Sequence, residues 1–131
     1  MVKTVPSVVV LNSSQDTIDL LKVVLEEHGF SVASAHVSSV KSGELDVLDF
    51  VSKHSPDVIV YDVALPYEEN WKFLRLLQSS EPLKDVRWVI TTTHKKRLQE
   101  LVHDIGEVYE VVGKPYDLGQ IVTAVKTSLP T

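Results

Sequence analysis

Two apolar runs, Val8–Leu11 and Val58–Tyr61, constrain the fold of this 131-residue chain more than any other feature. Neither run alternates with polar residues, so neither suits a strand with one wet face. A strand covered by helices on both sides needs no alternation, and such strands belong to parallel sheets. The second run ends in a carboxylate, Asp62, and a Val63-Ala64-Leu65-Pro66 turn follows. Two other polar groups end apolar runs in the same way: Thr92 closes Trp88-Val89-Ile90, and Lys114 stands before Pro115 after Val108, Val111 and Val112. Parallel strands deliver their carboxyl ends to one rim, where open α/β sheets bind ligands.

Helical spacing fills the intervals between the runs. Ile18, Leu21 and Leu25 repeat at helical spacing and Gly29 caps them; Leu45, Leu48 and Val51 define a second helix; Trp71, Phe73, Leu74 and Leu77 mark a third, stopped before Pro82. Leu98, Leu101, Val102 and Ile105 give a short fourth helix ended by Gly106, and Leu118, Ile121, Val122, Val125 and Leu129 form the stripe of a fifth. Val32–Ala35 reads as a weaker strand near a sheet edge. Strands alternating with helices in this way predict a single α/β domain over residues 1–131, a doubly wound five-stranded parallel sheet in the order 2-1-3-4-5. That order sets the loop after strand 1, Asn12 and Ser13, beside Asp62.

Composition narrows the function. The net charge of −5 argues against direct nucleic-acid binding, which needs a basic footprint. The chain has no cysteine, which removes disulfides, thiolate metal sites and thiol nucleophiles. No apolar stretch has the length of a membrane span, and a cytoplasmic location is expected. The basic cluster His94-Lys95-Lys96-Arg97 reads as a solvated helix start, although cations there oppose the helix dipole. The histidines are scattered, without metal-ligand spacing.

The strand-end trio suits phosphoryl chemistry. A carboxylate can attack phosphorus and form an acyl phosphate, a hydroxyl can donate to a phosphoryl oxygen, and an ammonium can neutralise the charge. Asp62-x-x-Leu65-Pro66, Thr92 at the end of strand 4 and Lys114-Pro115 together resemble the receiver domain of bacterial two-component response regulators of the chemotaxis-regulator kind. The resemblance runs from about Val8 to Leu129 and includes the approach Pro56–Tyr61. It implies a flavodoxin-like three-layer sandwich, a phosphoacceptor at Asp62, phosphoryl contacts from Thr92 and Lys114, and a partner phosphohistidine as donor. Counting back from Lys114 selects Thr92 rather than Thr91 or Thr93. The implied partners are a sensor histidine kinase or phosphotransfer protein and a downstream or tethered protein; edge strands 2 and 5 and helix 4 offer a surface for a homodimer, which no residue specifies. The implied switch surface includes Val111, Tyr109, Lys95 and Lys96. The chain is expected to be a phosphoacceptor rather than an enzyme.

The chain departs from the family at several positions. Asn12 and Ser13 replace an acidic pair that helps hold Mg²⁺ alongside Asp62 and the backbone carbonyl of Ala64. Magnesium wants octahedral oxygens and gains most from charged ones, so weak or lost Mg²⁺ binding is expected. Rescue by Asp16, Glu68 or Glu69 is not. Val111 stands where the family often has a switching aromatic residue, and Tyr109 is expected out of phase with that strand face. Asn70 replaces a glycine. The stretch before Asp62 is slightly long, which places a longer loop or a helix around Ser38–Glu44. With fewer acids nearby, Asp62 is expected to be ionised and paired with Lys114, without an upward pKa shift. The alternative function is a degenerate receiver that serves as a phosphorylation-independent docking module. A phosphatase of the haloacid-dehalogenase type would need an acid at position 64, which is Ala64. A flavodoxin would need a glycine in the loop after strand 1, and Asn12–Thr17 has none.

Overall fold

The computed structural model describes residues 5–102, 106, 108–111 and 115–129, with only the backbone at 115–117. Its strands are Ser7–Asn12 (β1), Ser31–His36 (β2), Val58–Val63 (β3), Arg87–Thr92 (β4) and Val108–Glu110 (β5). They form one parallel sheet in the order β2-β1-β3-β4-β5, as the alternating pattern predicts. The helices are Gln15–Glu27 (α1), Val37–Ser42 (α2), Val47–His54 (α3), Tyr67–Gln78 (α4), Lys95–Leu101 (α5) and Pro115–Ser128 (α6), with a 3₁₀ turn at Glu81–Leu83.

The two-residue period of the strands divides the core. Val8, Val10, Val58, Val60 and Val89 face α1 and α6, where Ile18, Leu21, Leu25, Ile121 and Val125 meet them. Val9, Leu11, Ile59, Tyr61, Val63 and Ile90 face the other helices, against Val37, Val51, Trp71, Leu74 and Leu98. This explains why β1 and β3 show no alternation in the sequence: both of their faces are dry. Leu74 is fully buried in the second layer, and Leu74→Ala would cost about 2–5 kcal/mol through lost contacts and a cavity.

Local signals set the helix ends. The Ser14 hydroxyl accepts the Thr17 N–H to open α1, and His28 closes it, with Gly29 following at φ 90°. The Asp46 carboxylate accepts the N–H groups of Leu48 and Asp49 to open α3. The extra length before Asp62 takes helical form as α2, closed by Gly43 in the left-handed region at φ 84°.

Some expected details differ. Leu48 is exposed rather than inward, because α3 is short and turns Val51 to the core instead. The fourth predicted helix ends at Leu101, and Val102 is already extended; Ile105 lies outside the described residues. No helix among the described residues is long and apolar enough to cross a membrane.

Candidate functional site

Asp62 sits one residue before the end of β3 and is only 6% exposed. Its oxygen Oδ1 accepts a hydrogen bond from the Thr91 hydroxyl at 2.8 Å. Sheet register makes this contact: Asp62 lies opposite Thr91, and Val63 opposite Thr92. Opposed residues on adjacent strands project to the same face. Thr91 therefore shares the side of Val89, and Asp62 that of Val60.

Thr92 is the corrected position. Its hydroxyl donates to the Val63 carbonyl at 2.8 Å, on the opposite face of the strand, and the residue has no exposed surface. Counting along the chain from Lys114 picks out Thr92, but pairing across the sheet brings Thr91 to the carboxylate. The count fails because it depends on the length of the β4–β5 connection, whereas the contact depends on register. The signal was present in the sequence: Thr91 follows Val89 by two residues as Asp62 follows Val60. Unbroken apolar runs hide that phase.

Asn12 ends β1, one step beyond the Leu11–Tyr61 pair, and so adjoins Asp62 across the sheet. It is 5% exposed, and its Oδ1 accepts the Ser14 N–H at 2.9 Å. Its oxygen thus closes the β1–α1 loop. Ser13 is exposed. Asp16, Glu68 and Glu69 are exposed in the first turns of α1 and α4. On the far side, the Ala64 carbonyl accepts from Asn70 Nδ2 at 2.6 Å. Asn70 is buried and lies inside α4, so its role there is side-chain bonding rather than the left-handed turn that a glycine suggests. Its Oδ1 accepts from Lys41 Nζ. Sequence reasoning assigned no role to Lys41, because nothing in the chain before Asp62 says that α2 reaches this rim. Lys114 lies outside the described residues.

Burial pushes the Asp62 carboxyl up to about 6 from 3.8, and the Thr91 bond pulls it down less strongly. This corrects the expectation of an unshifted acid: desolvation acts on a lone carboxylate even without acidic neighbours. The group remains mostly ionised at pH 7. Beneath it, the Tyr61 hydroxyl is buried without a hydrogen-bond partner, and burial, then the Asp62 charge, drives its pKa well above the usual phenol range.

The residues offer a poor seat for Mg²⁺. The Asp62 Oδ1 is engaged by Thr91, and the Asn12 and Ala64 oxygens already accept hydrogen bonds. Among the described residues no group of three His, Cys, Asp or Glu side chains could hold a metal. The arrangement is a buried carboxylate with one hydroxyl donor at the rim of the sheet, a pair chemically able to attack an electrophile.

The expected switch residues are spread between core and surface. Val111 is 9% exposed within the α1/α6 layer, so it is a core residue rather than part of a surface; its N–H bonds to the Thr92 carbonyl. Tyr109 packs against the same layer, in phase with Val111 rather than out of phase. Lys95 is half-buried and Lys96 exposed. The Lys95 N–H donates to Glu110 Oε1 at 2.8 Å, and His94 Nδ1 accepts the Arg97 N–H to cap α5. The basic cluster is therefore tied into the helix start and the edge strand.

A model of the response regulator receiver domain matches residues 8–126. The chain belongs to that family. This receiver domain is 22% identical over 123 residues to the polar-differentiation response regulator DivK of Brucella ovis, covering 94% of this chain and 95% of the relative. Among solved structures it is similar to the chemotaxis response regulator CheY4 of Vibrio cholerae, with a TM-score of 0.66, 21% identity and coverage of 93% and 99%. A response regulator from Thermotoga maritima gives a TM-score of 0.67 at 23% identity, covering 95% of this chain and 97% of that one. At these identities the likeness to solved structures carries the fold. The function of this receiver domain rests on its own pocket.

Proposed function

We propose that this receiver domain accepts a phosphoryl group on Asp62 from a phosphohistidine of a sensor kinase or phosphotransfer protein. The observation that carries this reading is the buried carboxylate–hydroxyl pair, Asp62 with Thr91 at 2.8 Å, at the rim of the sheet. In the step proposed, a carboxylate oxygen attacks phosphorus. The P–N bond breaks, its electron pair returns to the imidazole, and an acyl phosphate forms. Thr91 then donates to a phosphoryl oxygen in place of the carboxylate, and Lys114 is assigned the countercharge as the family resemblance implies. The change is read through β4, β5 and the start of α5, where Glu110 holds the Lys95 N–H. No catalytic turnover of a separate substrate is assigned. The expected location is the cytoplasm.

The second reading is a docking module that works without phosphorylation. The neutral oxygens of Asn12 and Ser13, and the Ala64 carbonyl already bonded to Asn70, favour it. Incubation with acetyl phosphate or phosphoramidate, with and without Mg²⁺, separates the two. A mass gain of one phosphoryl group that is lost in Asp62→Asn supports the acceptor. No gain at high donor and metal concentration leaves the docking module.

A further inference from the structure

Asn70 is a buried amide with both ends occupied. Its Nδ2 can only donate, and donates to the Ala64 carbonyl; its Oδ1 can only accept, and accepts from Lys41. The orientation of the amide is therefore fixed by chemistry. Lys41 is fixed by the fold. It follows Val40 in α2, and Val37 and Val40 anchor that helix in the core while Gly43 ends it. The Leu45 N–H bonds back to the Ser39 carbonyl, which closes the segment behind the lysine. An exposed side chain from α2 thus brings an ammonium to the N-terminal part of α4, one amide away from the carbonyl that follows the acceptor strand.

We propose that Lys41 is a resident cation at the Ala64 side of this pocket: through Asn70 it holds the Ala64 carbonyl and the β3–α4 loop, and it keeps a divalent metal from using that oxygen. A metal at the carbonyl would face the donor hydrogens of Asn70 and the ammonium behind them. Both repel it. The loss of acids at Asn12 and Ser13 and the presence of Lys41 then act in the same direction. Lys41 is a positioning residue, and its role does not require that Asp62 be phosphorylated.

The test restores the acids and varies the lysine. Mn²⁺ is titrated into the full chain carrying N12D/S13D, with Lys41 retained, replaced by Met, or replaced by Arg. Paramagnetic broadening of the Ala64 and Leu65 amide signals reports binding. Lys41→Met is expected to tighten Mn²⁺ by at least about tenfold, because it removes a nearby like charge. Lys41→Arg is expected to match the lysine protein. In the otherwise native chain, Lys41→Met should also shift the Asn70 side-chain amide signals and speed hydrogen exchange at Leu65.

Equal Mn²⁺ affinity with lysine and methionine overturns the proposal, as does failure of both acid-restored proteins to bind. Tightening by arginine as large as that by methionine overturns it too, as do unmoved Asn70 signals. Lys41 is exposed, so its replacement leaves the core intact. None of these readouts uses phosphoryl transfer, so a negative result here leaves the acceptor reading standing.

Discussion

The β3–β4 side and the β1 side of the pocket handle the same problem differently. On the first, Asp62 and Thr91 direct polar groups at each other across the sheet, in a buried site. On the second, Asn12 turns its oxygen onto the Ser14 N–H and seals its own loop. One side holds a charge whose burial is only partly compensated. The other is locally satisfied and uncharged. One rim thus carries both a buried carboxylate–hydroxyl pair and, a strand away, a polar side chain spent on closing its own loop.

The largest expected effect breaks the first side. The Asp62 pKa is raised on folding, from 3.8 to about 6, so the folded state binds the proton more tightly than the unfolded state. Stability from this group therefore falls as pH rises from about 4 to 6, and the deficit persists above that. The shift corresponds to roughly 3 kcal/mol. Asp62→Asn should raise stability at pH 7 by about 1–3 kcal/mol, with the gain vanishing below pH 4, while abolishing phosphoryl uptake. Urea unfolding at pH 3.5 and pH 7 checks the sign. An equal effect at both pH values would show that burial is not the cause.

Thr91→Val and Thr92→Val come next, at about 1–3 kcal/mol each, since both remove a buried hydrogen bond. They separate in chemistry. Loss of the Thr91 hydroxyl should raise the Asp62 pKa further, whereas loss of the Thr92 hydroxyl should leave it in place. Carboxyl chemical shifts followed against pH distinguish them. If Thr92→Val moved the carboxyl more, the register-based assignment would be wrong.

Asn12→Asp sharpens the second side. The new carboxylate keeps an acceptor for the Ser14 N–H but adds a like charge beside Asp62, so the Asp62 pKa should rise further above about 6. The smallest effect is Ser14→Ala, which removes the α1 cap at about 1 kcal/mol without changing the titration of Asp62. A shift of that titration in Ser14→Ala would mean that the two sides are coupled.

Much of the fold is legible because its signals are local or periodic. The dry runs Val8–Leu11 and Val58–Tyr61, the stripe Ile121-Val122-Val125 and the cap at Gly29 each dictate an element without reference to distant residues. Leu48 misleads for the same reason: helical spacing names a stripe but cannot say how far a short helix rotates before it meets the sheet. At the site, Asp62 and Asn12 were readable as strand ends. Thr91 was not separable from Thr92 by counting, and Lys41 carried no mark at all.

The sequence was enough for the parallel sheet and for the rim to which Asp62 is delivered, because unbroken apolar runs separated by helical stripes and joined by right-handed crossovers leave little choice of architecture. Packing in three dimensions set which threonine meets the carboxylate, how far burial raises that acid, and that a lysine from α2 reaches Asn70. Those outcomes depend on cross-strand register, on desolvation and on the packing of segments that are far apart in the chain. Strand phase bears on the first, but no local pattern encodes the other two.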